Sequence, residues 1–289
     1  MFIFLFDQSS TVQGRDIVKK IGGEIVDSPS ISDRQIFRWL KGVFKVIRLT
    51  DKNDTIICWY DFQAILCFWI CKLLFLKRRI IALNILLKNK DTLKNKIVSQ
   101  LYRRAVLAKN FKASVTSKAY GEWLNKELGV KVGWTLIHDI YHDSYECTNY
   151  AYASIKKSVF CGGRNGRDWN FMIEIAKSLP HLEFNLIMPK NLFLKYENTF
   201  TSNIHALYDV SYDEFMKTLC ASSLVCLPLD TEAPAGLIVM FQAVANDKMV
   251  ITTDTMTTKE YVGTDRGLLL PNDMQQWSKL LNGTPAVLA

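Results

Sequence analysis

The chain lacks a long hydrophobic run. Its most apolar segment, Phe62–Arg79, has an uncharged stretch of ten residues from Phe62 to Cys71, which Lys72 interrupts. A membrane-spanning helix needs about 20 consecutive apolar residues, so this segment is too short to be one. The pattern predicts a buried or surface-lying helix, Gln63–Arg79. Its basic end either contacts an anionic membrane surface or is a solvated helix terminus that the helix dipole favours.

Paired metal-binding and disulfide patterns are also missing. None of the seven cysteines forms a C-x-x-C pair, and most lie in apolar runs. We therefore expect buried, reduced thiols in a cytosolic protein. No histidine occurs before residue 138. His138 and His142 stand beside Asp139 and Asp143, but the spacing is loose and no sulfur ligand is near, so we expect no bound metal.

The charge is unbalanced, with 36 Lys and Arg against 28 Asp and Glu and a formal net charge of +8. Such an excess favours anionic partners, which include nucleotide phosphates, nucleic acids and anionic membranes. We find no basic stripe interleaved with aromatic residues, no zinc finger and no recognition helix. The sequence therefore argues against a nucleic-acid partner.

Short apolar runs alternate with helical patterns along the whole chain, which predicts an α/β fold with open parallel sheets. In the first half the predicted strands are Phe2–Phe6, Gly23–Val26, Thr55–Trp59, Ile80–Leu87 and Ala113–Thr116. The predicted helices there are Gly14–Ile21, Gln35–Phe44, Gln63–Leu76 and Lys94–Lys109. The second half repeats the rhythm more clearly.

The aperiodic segment Val132–Ser154, rich in Tyr, His and Asp, predicts a hinge between two domains. We place the domains at residues 1–142 and 143–289, each Rossmann-like, with parallel sheets facing a central cleft. A cleft of this kind is a natural small-molecule site.

The stretch "FCGGRNGRDWNF", Phe160–Phe171, places three glycines and two arginines between a predicted strand and a predicted helix. Gly162 and Gly163 permit a tight turn, and Gly166 is expected at positive φ. Helix-start N–H groups, with Arg164 and Arg167, suit phosphate oxygens. The alternative is an ordinary strand-to-helix turn that Asp168 caps.

A second loop, in "PLDTEAPAGLIVMFQAVANDKMVITTD" from Pro228 to Asp254, follows another predicted strand. Ala235 and Gly236 bring the backbone close to the cleft, and the helix that starts there can support a diphosphate. Glu232 suits sugar hydroxyls. The alternative is a solvated carboxylate at Glu232 and a surface amide at Gln242.

Together, the G-G-R-x-x-R-D loop and the E-x-x-x-G-L segment resemble the C-terminal, donor-binding half of GT-B glycosyltransferases, most closely the retaining family 4 type. The ending Thr258–Val262 and Gly267–Pro271 is similar to that family's "T-x-E-x-V … G-x-L-x-P" pattern. The resemblance covers about residues 100–275, and the earlier part matches only in rhythm.

The resemblance implies a donor site for a nucleotide-diphosphate sugar, most readily a UDP-sugar, with Glu232 and Arg167 as the catalytic residues. Glu232 matches the first Glu of the family's E-x-E signature, which contacts the donor sugar. Gln242 stands where a second Glu holds the ribose, or Phe241 does if the alignment shifts by one residue. The implied donor-binding residues are Gly162, Gly163, Arg164, Arg167, Glu232, Ala235, Gly236, Leu237 and Gln242.

For the acceptor we expect residues that follow the strands of the first domain, together with one hinge residue. Aromatic faces and carboxylates suit a sugar, although they also suit plain packing. The candidates are Asp7, Gln8, Ser9, Trp59, Asp61 and His138.

The resemblance implies transfer of a hexose to a saccharide or lipid-linked saccharide, with retention, in cell-surface glycan assembly. The cysteine pattern, the charge and the helix Gln63–Arg79 add the expectation of a cytoplasmic protein peripheral to the membrane. We expect no prosthetic group and no essential metal, because no strong DxD site occurs. The alternative is a partner subunit that binds a nucleotide or glycan without catalysis, which Gln242 and the missing N-terminal histidine favour.

Overall fold

The computed structural model describes residues 1–7, 12–29, 34–87, 93–139, 141–147, 155–263, 265 and 267–283. The chain forms two compact units, Met1–His138 and Asp139–Ala289, referred to below as the first and second unit. Each unit contains a six-stranded sheet in which all neighbouring strands are parallel. The predicted α/β fold with Rossmann-like units is confirmed.

Strands and helices alternate through the first unit. Its elements are β1 (Phe2–Phe6), α1 (Val12–Lys20), β2 (Glu24–Asp27), α2 (Gln35–Leu49), β3 (Thr55–Cys58), α3 (Asp61–Leu73), β4 (Arg79–Ala82), α4 (Leu93–Val106), β5 (Phe111–Val115), α5 (Lys118–Leu128) and β6 (Thr135–Leu136). The sheet order is β2-β1-β3-β4-β5-β6. Strand β2 is added on one side of β1, and strands β3 to β6 are added in succession on the other side. The strand order therefore reverses between β1 and β3. Open α/β sheets bind ligands outside the carboxyl ends of strands at such a switch point.

Two elements of the first unit differ from the predictions. The apolar run predicted as the strand Ile80–Leu87 ends as a strand at Ala82, because Asn84 takes φ +55° and turns the chain. The helix predicted to reach Leu76 ends at Leu73, and Phe75 takes φ +56°. Lys77 and Arg78 therefore lie in the turn between α3 and β4, and Arg79 begins β4.

The second unit begins with a short 3-10 turn at Asp143–Tyr145 and then repeats the alternation. Its elements are β7 (Ile155–Gly162), α6 (Trp169–Ser178), β8 (Glu183–Ile187), α7 (Lys190–Tyr196), β9 (Ile204–Leu207), α8 (Tyr212–Ala221), β10 (Ser222–Leu227), α9 (Leu237–Ala245), β11 (Met249–Thr253), α10 (Thr258–Tyr261), β12 (Gly267–Leu270) and α11 (Met274–Gly283). The order β12-β11-β10-β7-β8-β9 puts the switch point between β7 and β10.

Apolar side chains cover both faces of this second sheet. On one face, Trp169 of α6 and Trp277 of α11 join a cluster with Phe184 of β8. On the other, Met216 of α8 and Met240 of α9 pack with other buried residues. Burial on both sides fits the apolar composition of β12 and of the second half of β10, whereas β7, β8 and β9 also contain polar residues. This arrangement leaves the carboxyl edge of the sheet, with its loops, as the place for polar chemistry.

The prediction of seven reduced cysteines is wrong for one pair, because Cys147 and Cys220 form a disulfide. Cys147 lies in the segment 141–147, and Cys220 lies near the end of α8. Asn246 accepts from the Cys147 N–H at 2.7 Å and donates to the Tyr145 carbonyl at 2.7 Å. These contacts hold the described part of the expected hinge, after residue 140, on the second unit. The remaining five cysteines are free and buried, as expected.

Among the residues that the structure describes, no helix combines the length and the apolar character that crossing a membrane requires.

Candidate functional site

The two predicted loops of the second unit meet at the switch point between β7 and β10. An antiparallel bridge pairs Arg167 with Leu229. The Asp168 N–H donates to the Pro228 carbonyl at 2.9 Å, and the Asp230 N–H donates to the Gly166 carbonyl at 3.1 Å. The expected positive φ of Gly166 is confirmed at +65°. The loops are therefore one structure, built where this fold class places ligands.

Arg167 lies at the centre of this structure and is only 6% exposed. Its Nε donates to the Gly162 carbonyl at 2.9 Å, and its Nη1 donates to the Asn165 carbonyl at 3.1 Å. A methyl group added at Gly163 would stand 2.8 Å from Nη2, and one added at Gly236 would stand 3.2 Å from Nη1. Both glycines have positive φ. They are required here because a side chain at either position would meet the guanidinium.

The charge of Arg167 is only weakly compensated by the protein. Burial lowers the pKa of its guanidinium, while Cys161 and Asp230 act in the opposite direction. Among the described residues, no carboxylate forms an ion pair with it, and Nη2 makes no hydrogen bond. A buried cation in this state favours an anion as its partner.

The two helices that start at this edge differ in how their first turns are capped. At α6, the Asp168 carboxylate accepts from the Phe171 N–H at 3.0 Å, as the alternative interpretation of the loop predicted. At α9, Gly236 is the N-cap residue and no side chain caps the helix. The first N–H groups of a helix have no intrahelical acceptor. The end of α9, rather than that of α6, is thus the one open to an anion.

Glu232 and Ala235 lie in the loop between these elements. Glu232 is exposed, its Oε2 accepts from the Met256 N–H at 2.9 Å, and its carbonyl accepts from Thr257 at 3.3 Å. Ala235 is buried and lies close to Gly166. A methyl group added at Gly166 would come within 2.8 Å of the Ala235 Cβ. The loop is therefore held on both sides, and the Glu232 side chain is accessible at the same edge as Arg167.

Two other predicted donor residues lie inside the unit. Leu237, the first residue of α9, packs in the core cluster that includes Met216 of α8. Gln242 is 3% exposed, and its Nε2 donates to the Tyr212 hydroxyl at 3.3 Å. Its buried Oε1 has no hydrogen-bond partner among the described residues. The surface-amide interpretation of Gln242 is wrong, because α9 turns this side chain toward α8.

Arg164 is separated from Arg167 by the loop and is exposed. It lines an open cavity of about 530 Å³ beside the carboxyl ends of β7, β8 and β9. Lys190 and Asp209 also line it, and Lys190 lies 5.4 Å from the Tyr208 ring centroid. The cavity is large enough for a small polar molecule and carries charge of both signs.

The switch point of the first unit, between β1 and β3, is organised around Asp7. This residue follows β1 and is fully buried. Its carboxylate accepts from Arg38 Nε at 2.7 Å, from Arg38 Nη2 at 2.8 Å and from Trp39 Nε1 at 2.8 Å. The charge of Asp7 is therefore paired within the unit. Arg38 and Trp39 were not among the predicted site residues, although a carboxylate directly after a buried strand is a signal that a partner must exist.

Aromatic rings surround this pair. The Trp39 ring centroid lies 6.0 Å from that of Tyr60 and 5.5 Å from that of Phe62, and these three residues are half-buried. Trp59 stacks on Phe6 at 4.9 Å, and its ring lies against Gly14. The strand ends thus present a partly accessible aromatic cluster beside a neutralised ion pair.

Asp61 is used within the first unit. Its carboxylate accepts from the Phe62 N–H at 2.7 Å, the Leu86 N–H at 2.9 Å and the Tyr102 hydroxyl at 2.8 Å. Burial raises the pKa of Asp61 despite these hydrogen bonds. The side chain anchors the irregular segment after β4 to the start of α3.

The remaining predictions concern isolated residues. Gln8 and Ser9 lie outside the described residues. His138 is exposed at the end of the first unit. The His142 ring accepts from the Ser144 N–H at 3.1 Å and caps the 3-10 turn. Within the described ranges, no group of three or more His, Cys, Asp or Glu side chains is placed to hold a metal ion.

Comparison with solved structures places this geometry among known folds. The chain is similar to Anabaena HepE, solved in complex with UDP and glucose, with 12% identity and a TM-score of 0.69 over 99% of this chain and 91% of that one. It is also similar to WaaG, a glycosyltransferase involved in lipopolysaccharide biosynthesis, with 14% identity and a TM-score of 0.66 over 100% of this chain and 92% of that one. The fold is GT-B.

A third GT-B structure, TarM, matches with 14% identity and a TM-score of 0.61 over 85% of this chain. The chain spans about half of TarM, 51% of its length. No protein-family model and no curated protein sequence matches the chain. At these identities the likeness establishes the GT-B fold, and the two switch points described above are the features of that fold on which function must be argued.

Proposed function

We propose that this protein is a glycosyltransferase. It moves a hexose from a nucleotide-diphosphate sugar, most readily a UDP-sugar, to a saccharide or lipid-linked saccharide, with retention of anomeric configuration, in cell-surface glycan assembly. Two structures of similar fold support this proposal. HepE was solved in complex with UDP and glucose, and WaaG is a glycosyltransferase involved in lipopolysaccharide biosynthesis.

The observation that carries the proposal is the position of Arg167. Its guanidinium lies between Gly163 and Gly236, at the switch point, beside the uncapped start of α9. Two backbone carbonyls hold it in place, and no described carboxylate forms an ion pair with it. A diphosphate supplies the negative charge that this arrangement lacks, and the open Nη2 and helix N–H groups supply its hydrogen-bond donors.

The transfer reaction develops negative charge on the diphosphate, which this proposal positions beside Arg167. In transfer, the bond between the anomeric carbon and the β-phosphate oxygen breaks, and the nucleoside diphosphate leaves with the electron pair. The acceptor hydroxyl oxygen then bonds to the anomeric carbon, and the departing phosphate oxygen accepts the proton of that hydroxyl. Arg167 and the α9 terminus stabilise the charge that develops on the leaving group. Glu232, accessible at the same edge, accepts hydrogen bonds from hydroxyls of the donor sugar.

We assign the acceptor to the first switch point. The rings of Trp39, Tyr60 and Phe62 offer apolar faces of the kind that sugar sites use, and Asp7 is neutralised by Arg38. A pocket with few charges and several aromatic faces suits a neutral saccharide better than an anion. Asp7 and Asp61 act there by holding these elements, since described groups already engage their carboxylates.

We also propose that the protein works at the cytoplasmic face of a membrane, bound peripherally through the segment Gln63–Arg79. Support comes from the net charge of +8 and from the exposed apolar side chains at the end of α3. A lipid-linked acceptor would require such a location.

The first test is thermal-shift binding of the full chain to UDP, GDP, ADP, CMP and their sugar conjugates without added metal. One diphosphate nucleotide should stabilise the protein, by about 2.7 kcal/mol at about 100 times its Kd. The shift should fall sharply for Arg167→Met and persist for Arg104→Met, a matched change on α4 of the first unit. No shift with any nucleotide would contradict the donor site.

The second candidate is a partner subunit that binds a nucleotide or glycan and has lost catalysis. Gln242 favours it, because its Nε2 contacts Tyr212 and it offers no carboxylate to a ribose. A nucleotide that stabilises the protein, together with neither sugar-nucleotide hydrolysis nor transfer to any saccharide tested, would favour this candidate. Gln242→Glu is then the first variant to assay for restored turnover.

A further inference from the structure

A cavity of about 430 Å³ lies in the first unit at the edge where β3 and β4 begin, opposite to the edge that carries Asp7. It is bounded by the end of α3 and the turn before β4. Basic side chains form much of its lining, and no acidic residue lines it among the residues described. The basic residues are Lys52, Lys72, Lys77, Arg78 and Arg79.

Backbone carbonyls, rather than carboxylates, hold the two arginines. Arg78 Nη2 donates to the Thr50 carbonyl at 2.7 Å, and Arg79 donates to the Asn53 carbonyl. The Lys72 Nζ lies 5.0 Å from the Trp69 ring centroid. Lys52 and Lys77 are exposed and have no ion pair among the described residues. Within the described part of the chain, the positive charge of the cavity is therefore only partly offset, by the electrostatic interaction of Arg78 with Asp54.

Beside the cavity, α3 ends in three exposed apolar side chains. Leu73 is 73% exposed, Leu74 is 52% exposed and Phe75 is 93% exposed. Phe75 has φ +56°, a conformation in which glycine is usual at the end of a helix. The Leu76 N–H donates to the Cys71 carbonyl at 2.8 Å, which closes this turn. Phe75 is therefore unfavourable in two ways: its positive φ disfavours a side chain, and its exposure to solvent disfavours an apolar one.

We infer that this surface is a membrane-docking site in which the tip Leu73–Phe75 enters the interfacial layer of a bilayer while the basic cavity binds the phosphate of an anionic lipid. The apolar tip and the basic cavity are adjacent, and membrane binding needs both. Insertion of a few apolar side chains is weak without electrostatic attraction, and electrostatic attraction alone does not insert the protein into the bilayer. The inference deepens the proposed peripheral association by naming its contact residues and its ligand, a phospholipid headgroup.

The test is co-sedimentation of the full chain with vesicles of phosphatidylcholine, with and without phosphatidylglycerol, at an ionic strength of about 0.15 M. The wild-type protein should bind the anionic vesicles at least about 100-fold more tightly than the neutral ones, because five basic residues line the cavity and each basic residue near the surface contributes about a fivefold factor. Replacing Lys52, Lys72 and Lys77 together by Gln should remove roughly two orders of magnitude of affinity.

Phe75→Gly tests the tip separately. Glycine suits the positive φ, so this variant should fold at least as well as the wild type while binding vesicles several-fold more weakly. The matched control is Phe37, another exposed aromatic residue, which lies in α2. Phe37→Ser removes its apolar side chain without placing a glycine inside the helix, and it should leave vesicle binding unchanged. Lys195→Gln, Lys217→Gln and Lys279→Gln together, at three exposed lysines of the second unit, are the matched control for charge.

Equal binding to neutral and anionic vesicles, or unchanged binding by both the lysine and the Phe75 variants, would overturn the inference. Displacement by inorganic phosphate combined with indifference to Phe75→Gly would identify a soluble-anion site and would also overturn it. Nucleotide thermal shifts of the same variants should match the wild type. A failure of vesicle binding is therefore distinguishable from a failure of the proposed donor site.

Discussion

Each unit has one switch point where its strand order reverses, and the two switch points have opposite electrostatics. In the second unit, the buried Arg167 is held by carbonyl groups and has no carboxylate ion pair among the described residues. In the first unit, the buried Asp7 receives two hydrogen bonds from Arg38 and one from Trp39. One edge of a parallel sheet therefore carries a cation that is only weakly compensated, by Asp230. The corresponding edge of the other sheet carries a neutralised pair among aromatic rings.

The difference teaches that the fold supplies a place for a ligand and the side chains decide its chemistry. Burying a charge is costly unless a partner compensates it. The first unit compensates within itself, which stabilises the unit and leaves a nearly neutral surface. The second unit leaves the compensation to a ligand, which makes that edge suited to a diphosphate.

The largest expected effect comes from making the first edge resemble the second. Asp7→Asn removes the buried carboxylate that pairs with Arg38, whose side chain is 11% exposed. Breaking a buried ion pair by removing one partner costs about 3–5 kcal/mol, so the free energy of unfolding in urea should fall by that amount. The double variant with Arg38→Met should recover much of the loss. A decrease below about 1 kcal/mol in the single variant would show that the pair is not required.

Glu232→Ala tests whether the accessible carboxylate of the second edge takes part in transfer. Turnover should fall by about 100-fold or more, which corresponds to about 2.7 kcal/mol of transition-state stabilisation. The melting temperature should barely change, because Glu232 is exposed. Glu197→Ala, at another exposed carboxylate of the same unit, is the control. Unchanged turnover in the Glu232 variant would remove this residue from the site.

Arg167→Met removes the weakly compensated charge while keeping most of the side-chain volume. The Kd for the stabilising nucleotide should rise about tenfold or more, because a charged hydrogen bond contributes about 1.5–3 kcal/mol. Titration calorimetry measures this directly, alongside Arg164→Met. If the Arg164 variant lost affinity and the Arg167 variant did not, the phosphate contact would belong to the exposed arginine, and the contrast between the two edges would lose its functional meaning.

The smallest effect concerns Asp61, which stands near the neutral edge. Burial raises its pKa above the unfolded value. Its contribution to stability is therefore fully present below the unfolded pKa of about 3.9 and is lost as the pH rises through the higher folded pKa. Asp61→Asn does not ionise, so its melting temperature relative to the wild type should increase from about pH 4 to pH 7. A constant difference across this range would show that Asp61 does not titrate differently on folding.

Much of the fold was predictable because parallel strands buried on both faces are continuous apolar runs. β1, β3 and most of β10 follow that pattern, and Asp168 and Ser211 cap the starts of α6 and α8. Helix α5 was not predicted. The Ser117 hydroxyl caps its start by accepting a hydrogen bond from the Tyr120 N–H at 3.1 Å, and Gly129 ends it in the left-handed conformation. The signals for that helix were therefore visible in the sequence and were not used.

Other features depend on residues far apart in the chain. Arg38 is 31 positions from Asp7, and Cys147 is 73 positions from Cys220. No local pattern connects such partners, because their proximity follows from strand order and helix packing. Likewise, nothing local distinguishes Arg167 from Arg164, one of which the loop buries while the other stays exposed.

The sequence by itself determined the alternation of strands and helices, the two loops that carry glycine and arginine, and the apolar segment with a basic end, because each depends on neighbours within a few positions. Only the tertiary structure decided which arginine is buried between two glycines, which carboxylates are already paired and where the basic cavity lies beside Phe75. Those outcomes depend on which surfaces the sheets bring together, and burial, which sets the cost of every unpaired charge, exists only once the chain has folded.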